Sequence, residues 1–132
     1  MSSKRVVALL LLVSLALGCG RSDMGRVSGT ITHAGKPVAG ANVTFVTPSR
    51  RAAFGVTDAA GRYVLGSHKQ GDGAYEGRHR VAVDAVIESS AASAEQVNRA
   101  DIPPKFRNLQ TTPLEADVVA GKANVIDFDL AR

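Results

Sequence analysis

The chain has few of the residues that form crosslinks, bind metals or stack on sugars. Its 132 residues include one cysteine, no tryptophan, two tyrosines and three histidines. A single cysteine excludes an internal disulfide. The shortage of tryptophan and tyrosine disfavours sugar binding, because exposed carbohydrate sites usually present aromatic rings. His33, His68 and His79 lack the short, paired spacing of zinc ligands.

A catalytic constellation is also missing from the pattern. Asp72 and Glu76 lie among glycines, but without the alternating oxygen ligands of a calcium loop. No nucleophile motif surrounds any serine. Lys36 and Asn124 are the residue types of a Lys–Asn isopeptide bond, but Lys36 falls in a turn that we expect to be solvated. We therefore expect no enzymatic activity, no metal and no cofactor.

No apolar run in the chain is long enough to cross a membrane. The longest run lies near the N-terminus. Residues 6–17 are apolar except for Ser14, and they follow Lys4 and Arg5 in a segment without acids. The run is too short for a bilayer core, which needs about 20 helical residues. It predicts a removable export signal over residues 1–18. Removing it lowers the formal net charge from +4 to +2, and nothing in that charge indicates nucleic acid.

The only cysteine comes directly after this signal. Residues 15–19 read LALGC and resemble the lipobox of bacterial lipoproteins, in which signal peptidase II cuts before a cysteine that carries a diacylglycerol. The chain has Ala16 where the lipobox prefers leucine. The resemblance implies lipidation of Cys19, a membrane anchor on the extracytoplasmic side of the cell envelope, and a short tether over residues 19–25. The alternative is an ordinary signal peptide that is cut elsewhere.

The rest of the chain alternates between apolar and polar residues in short segments. Alternation with period two is typical of half-buried strands. Seven such segments with turn residues between them predict an all-β fold, a seven-stranded antiparallel β-sandwich over residues 26–132. The predicted strands cover residues 26–32, 41–45, 53–57, 62–65, 77–86, 114–119 and 124–130. The predicted core consists of Val27, Ile31, Val43, Phe45, Phe54, Val56, Tyr63, Leu65, Val81, Val83, Ile126 and Phe128.

Residues 87–112 break this pattern. They lack strand periodicity and contain Pro103 and Pro104. A connection of this length in a small domain is either functional or mobile. At most, one helical turn is expected within it, over residues 93–99.

Two motifs resemble those of carboxypeptidase regulatory-like domains. Residues 29–45 read GTITHAGKPVAGANVTF and resemble the opening of these domains, and residues 57–63, TDAAGRY, resemble their second hallmark. Residues 102–106, IPPKF, and 121–124, GKAN, are similar to a version common in lipoproteins of planctomycete-type bacteria. The resemblance runs from about Val27 to Leu130. It implies a transthyretin-like (prealbumin-like) sandwich, which in metallocarboxypeptidases is an accessory domain and not the catalytic one.

The resemblance and the strand pattern also suggest roles for three residues. Asp58 is expected to hydrogen-bond the backbone of its own turn, and Tyr63 to bury its ring and satisfy its hydroxyl. His79 stands where related chains often have an aromatic residue. We expect a satisfied core histidine there, with a ligand or a pH switch as the alternative.

Two classes of function remain open. The first is an interaction module whose loops bind an unknown envelope protein or, less favoured, a polysaccharide. The second is a structural spacer or coat component that assembles with copies of itself through sheet edges. The candidate interaction surface consists of Arg50, Arg51, His68, Lys69, Lys105 and Arg107, together with residues 68–76 and 87–112. The alternative for the two adjacent arginines is an ordinary solvated loop.

Overall fold

The computed structural model describes residues 23–85 and 102–131. In these two ranges the chain is all-β, with ten strands and a single 3-10 turn at Pro104–Phe106. The predicted signal peptide, Cys19 and the expected helical turn at residues 93–99 lie outside the described residues. No helix in the described part of the chain has the length and apolar character needed to cross a membrane.

Each of the seven predicted segments contains at least one observed strand. The last one is divided in two by Ile126 and Asp127, and two strands of only two residues, Lys36–Pro37 and Ala74–Tyr75, were not predicted. The predicted number of seven is therefore not the number observed in the described ranges. The strands are β1 Met24–His33, β2 Lys36–Pro37, β3 Ala41–Val46, β4 Ala53–Val56, β5 Arg62–Val64, β6 Ala74–Tyr75, β7 Gly77–Ala85, β8 Glu115–Val118, β9 Ala123–Val125 and β10 Phe128–Asp129.

One sheet is built around β1. This strand pairs antiparallel with β2, β5 and β6, and parallel with β9 and β10. Ser28 illustrates the arrangement, since it is in register with Val64 of β5 and with Val125 of β9. At ten residues, β1 is long enough to hold five short partners along its two edges. The expectation of antiparallel pairing thus applies to only part of this sheet.

The second sheet is antiparallel throughout and has the order β4-β3-β7-β8. Val43 pairs with Val83, and Phe45 pairs with Val81. All four side chains are fully buried. The two sheets enclose one hydrophobic core between them, consistent with a β-sandwich.

Within the described ranges, one isolated bridge joins the two sheets at one edge. The Phe54 N–H donates to the Gly66 carbonyl oxygen at 3.0 Å, and the Gly66 N–H donates back to the Phe54 carbonyl at 2.9 Å. Next to this bridge β5 passes close beneath β4: a methyl group on Gly55 would lie 2.6 Å from the Val64 carbonyl oxygen. A residue without a side chain is therefore required where the two strands cross.

The core differs from the predicted one at β4. Phe54 and Val56 were predicted to be buried but are 52% and 58% exposed, whereas Ala53 is fully buried. Successive side chains on a strand point to opposite faces, and β4 directs Ala53 and Gly55 inwards. Ile126 and Phe128 are half-buried against the core, and the other eight predicted members are buried. Ile102 and Phe106, from the segment predicted to be loop, complete the core.

The three roles expected for single residues can be checked directly. The Asp58 carboxylate accepts from the N–H groups of Ala60 and Arg62, both at 2.9 Å, as predicted. Tyr63 is 1% exposed, and its hydroxyl donates to the Ile126 carbonyl oxygen at 2.5 Å. His79 is a buried core residue whose Nε2 lies 2.7 Å from the Tyr75 carbonyl oxygen, but its Nδ1 has no partner among the described residues. It is therefore only half satisfied.

Candidate interaction groove between β4 and β5

A groove of about 590 Å³ runs along the outer surface of β4 and β5. Three apolar side chains, Phe54, Val56 and Val64, line it and are each more than half exposed. Its rim is polar and carries charges of both signs. The rim residues are Asp58, Arg62, Ser67, His68, Lys69 and Gln70.

The strand register places the three apolar side chains on one surface. On β4, Phe54 and Val56 point outwards because Ala53 and Gly55 point inwards. On β5, Val64 points outwards because Tyr63 fills the core. The close crossing of β5 beneath Gly55 then brings Val64 next to β4.

Such a cluster differs from scattered surface hydrophobics. Single exposed apolar residues are normal on soluble proteins, but a contiguous, polar-rimmed apolar patch marks a binding surface or an aggregation risk. Val125, 72% exposed on β9, does not line the groove but lies on the same face of its sheet as Val64, because both residues are in register with Ser28 of β1. The groove is therefore the surface in the described ranges with the clearest chemical basis for binding another molecule.

A hydrogen-bonded loop forms one end of the groove. The Asp72 carboxylate accepts from the backbone N–H groups of Ser67, His68 and Lys69 at 2.6, 3.1 and 3.2 Å. Partial desolvation acts to raise the pKa of Asp72, but these hydrogen bonds, aided by the nearby His68, hold that pKa below its ordinary value. The ionised carboxylate thus fixes His68 and Lys69 at the rim.

A cluster of polar and aromatic side chains continues from this end of the groove. His68 Nε2 lies 2.8 Å from the Tyr75 hydroxyl. The Arg50 guanidinium lies over the Tyr75 ring, 5.0 Å from its centre. Arg50 also forms an ion pair with Asp23, with 3.7 Å between nitrogen and oxygen. This cluster joins the loop after β3, the loop after β5 and the start of β1.

The six residues of the predicted surface therefore fall into two groups. Arg50, His68 and Lys69 lie at or beside one end of the groove, and Arg51 is exposed in the same loop as Arg50. Lys105 and Arg107 lie elsewhere, on and after the 3-10 turn that packs against β7.

The second group has a different environment. The Lys105 ammonium lies 4.9 Å from the centre of the Phe106 ring, and Arg107 Nε donates to the Ile102 carbonyl at 2.8 Å. Arg107 also lines a cavity of about 510 Å³ over Thr44, Ala82 and Asp84, on the outer face of the antiparallel sheet. The sequence pattern did not separate the two groups, because both are basic residues in predicted loops.

The sequence pattern did not predict that the apolar residues of the groove lie on the surface. Phe54 and Val56 satisfy the alternation expected of an inward face, so the pattern assigned them to the core. The available signal was Gly55, since glycine inside a strand pattern often marks a close backbone approach. Such an approach favours turning the glycine inwards, which turns its two neighbours outwards.

Two alternatives from the sequence can be compared with the geometry. Lys36 pairs with His33 and Asn124 pairs with Val27, so these residues sit at opposite ends of β1, about 20 Å apart at the strand repeat. That separation rules out an isopeptide bond between them. In residues 23–85 and 102–131, no group of three or more His, Cys, Asp or Glu side chains is arranged to hold a metal ion.

Comparison with known proteins returns no relatives. No family model matches the chain. Neither the curated proteins nor the solved structures give a match. The function must therefore be inferred from the geometry of the groove and from the sequence motifs.

Proposed function

We propose that this chain is a non-enzymatic, lipid-anchored protein of the bacterial cell envelope. Its sandwich, of the carboxypeptidase regulatory-like, transthyretin-like type, acts as a protein-interaction module. The groove between β4 and β5 is the binding surface. The observation that carries this proposal is the exposure of Phe54, Val56 and Val64 side by side within a polar rim.

The chemistry of the groove fits a protein partner better than a sugar. Burying one exposed large apolar side chain in an interface contributes on the order of 1–2 kcal/mol. A rim with Asp58 and Arg62 provides charges of both signs for orienting a partner, and such rims set specificity and association rate. A sugar site would instead need flat aromatic platforms, and in the described ranges Phe54 and the His68 imidazole are the only aromatic rings that line the groove.

Site-specific photocrosslinking in living cells tests the groove. A photoreactive amino acid replaces Val64 in the full-length protein, and the control replaces Asp117, which is exposed on β8 at the edge of the antiparallel sheet opposite β4. We expect one dominant crosslinked product of defined mass from position 64 and none from position 117. Adding Phe54→Ser to the Val64 probe should reduce that product at least about tenfold, the effect of losing one apolar anchor.

The other outcomes would change the proposal. Equal crosslinking from both positions, or no reduction by Phe54→Ser, would contradict binding in the groove. A product of twice the protein's own mass would favour the structural alternative, in which the chain assembles with copies of itself.

The lipid anchor has its own test. Cys19→Ser removes the thiol that accepts the diacylglycerol, so we expect the unprocessed precursor to accumulate and to lack the lipid mass. Intact mass spectrometry and detergent phase partitioning measure both effects. Normal processing and unchanged partitioning of the Cys19→Ser protein would show that the cysteine is incidental. Ser14→Ala, inside the apolar run, is the control that should leave processing unchanged.

A further inference from the structure

The described part of the chain begins at one end of the sandwich and is fixed there. The Asp23 carboxylate pairs with Arg50, and its carbonyl oxygen accepts from the Glu76 N–H at 2.8 Å. Met24 then pairs with Tyr75 in β6. We call this the anchor end: residues 23–26 together with the neighbouring loop residues 47–52, 66–76 and 119–122. The start of the domain is thus bound directly to the loops of this end.

The tether to Cys19 is shorter than the predicted residues 19–25, because Met24 and Gly25 belong to β1. Three residues separate Cys19 from Asp23, and four steps of extended chain span at most about 14 Å. A diacylglycerol on Cys19 lies in the membrane, so the anchor end cannot move far from the headgroups. The proposal below rests on the lipid anchor proposed above.

The charges of the sandwich are divided unevenly between its ends. In the described residues, the anchor end has more basic than acidic side chains: Arg26, Arg50, Arg51, Lys69 and Lys122 against Asp23, Asp72 and Glu76. At the opposite end, which consists of residues 33–40, 57–62 and 126–130 around the C-terminal end of β1, acidic side chains are in the majority: Asp58, Asp127 and Asp129 against Lys36 and Arg62.

Hydrogen bonds and ion pairs already engage two of the three acids at the anchor end. Asp23 is paired with Arg50, and Asp72 accepts three backbone N–H groups of its own loop. Arg51, Lys69 and Lys122 are exposed there. Exposed positive charge therefore lies at the same end of the sandwich as Asp23, the first described residue.

Tyr75 adds an aromatic group of the type found at membrane interfaces. It is half-buried, with its ring under the Arg50 guanidinium and its hydroxyl hydrogen-bonded to His68. Rings with one apolar and one polar end are enriched at the headgroup level of membranes, where both ends are accommodated. The surroundings of Tyr75 match that environment.

We propose that the anchor end rests on the membrane surface and that Arg51, Lys69 and Lys122 contact the phosphates of anionic lipid headgroups. Each basic residue near an anionic surface favours contact by about fivefold, and the effect decays within about 10 Å at moderate salt. The tether keeps the domain inside that range, so a few charges are enough to orient it. The groove then runs from His68 near the membrane to Asp58 at the opposite end.

Hydrogen exchange on the reconstituted lipoprotein tests this orientation. The full-length protein is purified from its membrane, its diacylglycerol is verified by mass, and it is inserted into vesicles of phosphatidylcholine alone or with 30% phosphatidylglycerol. We expect amides of residues 47–52, 66–72 and 119–122 to exchange about fivefold more slowly in the anionic vesicles. High salt should abolish the difference, because it shortens the range of charge interactions.

Charge reversal provides the matched variants. The triple variant R51E/K69E/K122E should lose the protection, whereas K36E/R62E at the opposite end should retain it. Lipidated protein that enters both kinds of vesicle with equal exchange in these loops would overturn the orientation and leave the anchor intact. Protein without the lipid mass, or protein that stays out of all vesicles, would overturn both proposals.

Discussion

Tyr63 connects the hydrophobic core to the C-terminal strands through a hydrogen bond from its hydroxyl group. Its ring lies in the core at 6.3 Å from the Phe45 ring, and its hydroxyl donates to the Ile126 carbonyl between β9 and β10. A methyl group on Gly29 would lie 1.8 Å from that carbonyl oxygen, so the glycine makes room for the contact. Burial raises the pKa of the Tyr63 phenol well above its ordinary value, and the negative charge of Asp127 adds to the effect.

Replacing Tyr63 with phenylalanine isolates this hydrogen bond. We expect Tyr63→Phe to lower the free energy of unfolding by about 1–2 kcal/mol, because the Ile126 carbonyl loses its donor in a largely buried site. Urea denaturation measures the change. Tyr75→Phe is the control, since its hydroxyl contacts the exposed His68, and it should change stability by less than about 0.5 kcal/mol. Equal effects of the two substitutions would contradict the role given to Tyr63.

Asp72 makes the stability of its loop depend on pH. Its pKa is lower in the folded protein than in the unfolded chain, so its contribution is complete above its ordinary pKa and is lost as the pH falls through the folded value. We therefore expect unfolding free energy to drop between pH 5 and pH 3, and to drop less in Asp72→Asn.

The difference between the two proteins should be at most about 0.5 kcal/mol, because the carboxylate is partly solvated. Urea titrations at pH 5 and pH 3 measure it, with Glu76→Gln as a control in the same loop. An identical drop in the wild type and in Asp72→Asn would show that the three N–H contacts do not favour the ionised form.

At the scale of elements, β4 shows what alternation alone can and cannot predict. The pattern correctly identifies a strand at residues 53–57, but it does not say which of its two faces is buried. Phe54 and Val56 are the more hydrophobic set, yet Ala53 and Gly55 face the core. The reason is tertiary: β5 crosses so close that only glycine fits at position 55. Space, and not hydrophobicity, decides the face.

This register gives a direct comparison between two phenylalanines. Phe54→Ala should change the free energy of unfolding by less than about 1 kcal/mol, because the ring is half exposed. Phe45→Ala, fully buried on the adjacent strand, should cost about 3–5 kcal/mol. Chemical denaturation of both variants measures the two losses. A large loss from Phe54→Ala would mean that its ring packs in the core and that the groove is not an exposed surface.

The two-residue strands β2 and β6 could not be predicted from sequence periodicity, because two residues are too few to show an alternation of apolar and polar side chains. β2 and β6 exist because β1 offers unpaired edge groups next to a turn. The same limit applies to the side-chain contacts of Asn124, which the sequence placed in the last predicted strand and in the motif at residues 121–124, and for which it named no role besides an isopeptide bond. Its side-chain amide donates to the carbonyls of Arg26, Val119 and Lys122 and accepts from the Val119 N–H, which fixes the turn before β9. The hydrogen bond to Arg26 joins residues that are 98 positions apart in the sequence, so local periodicity cannot predict it.

At the scale of the whole molecule, the sequence places the polar half of the candidate site and misses the apolar half. Arg50, His68 and Lys69 are identifiable as loop residues from glycine and proline punctuation alone. Their convergence is not, because it requires the Asp72 hydrogen bonds and the position of Tyr75. The division of charge between the two ends is likewise invisible in the linear order, where acidic and basic residues are interleaved.

The position of β1 also determines how the molecule would respond to tension. On the proposed anchor, a partner held in the groove and a lipid held in the membrane pull on the domain from two points. The membrane end of that load enters at Asp23, directly before the N-terminal residue of β1, and β1 is bonded to five strands. Pulling along a strand loads its ladder hydrogen bonds together in shear, whereas pulling across a strand opens them one after another. On the proposed anchor, the tether would therefore join a strand whose many ladder hydrogen bonds resist extraction together.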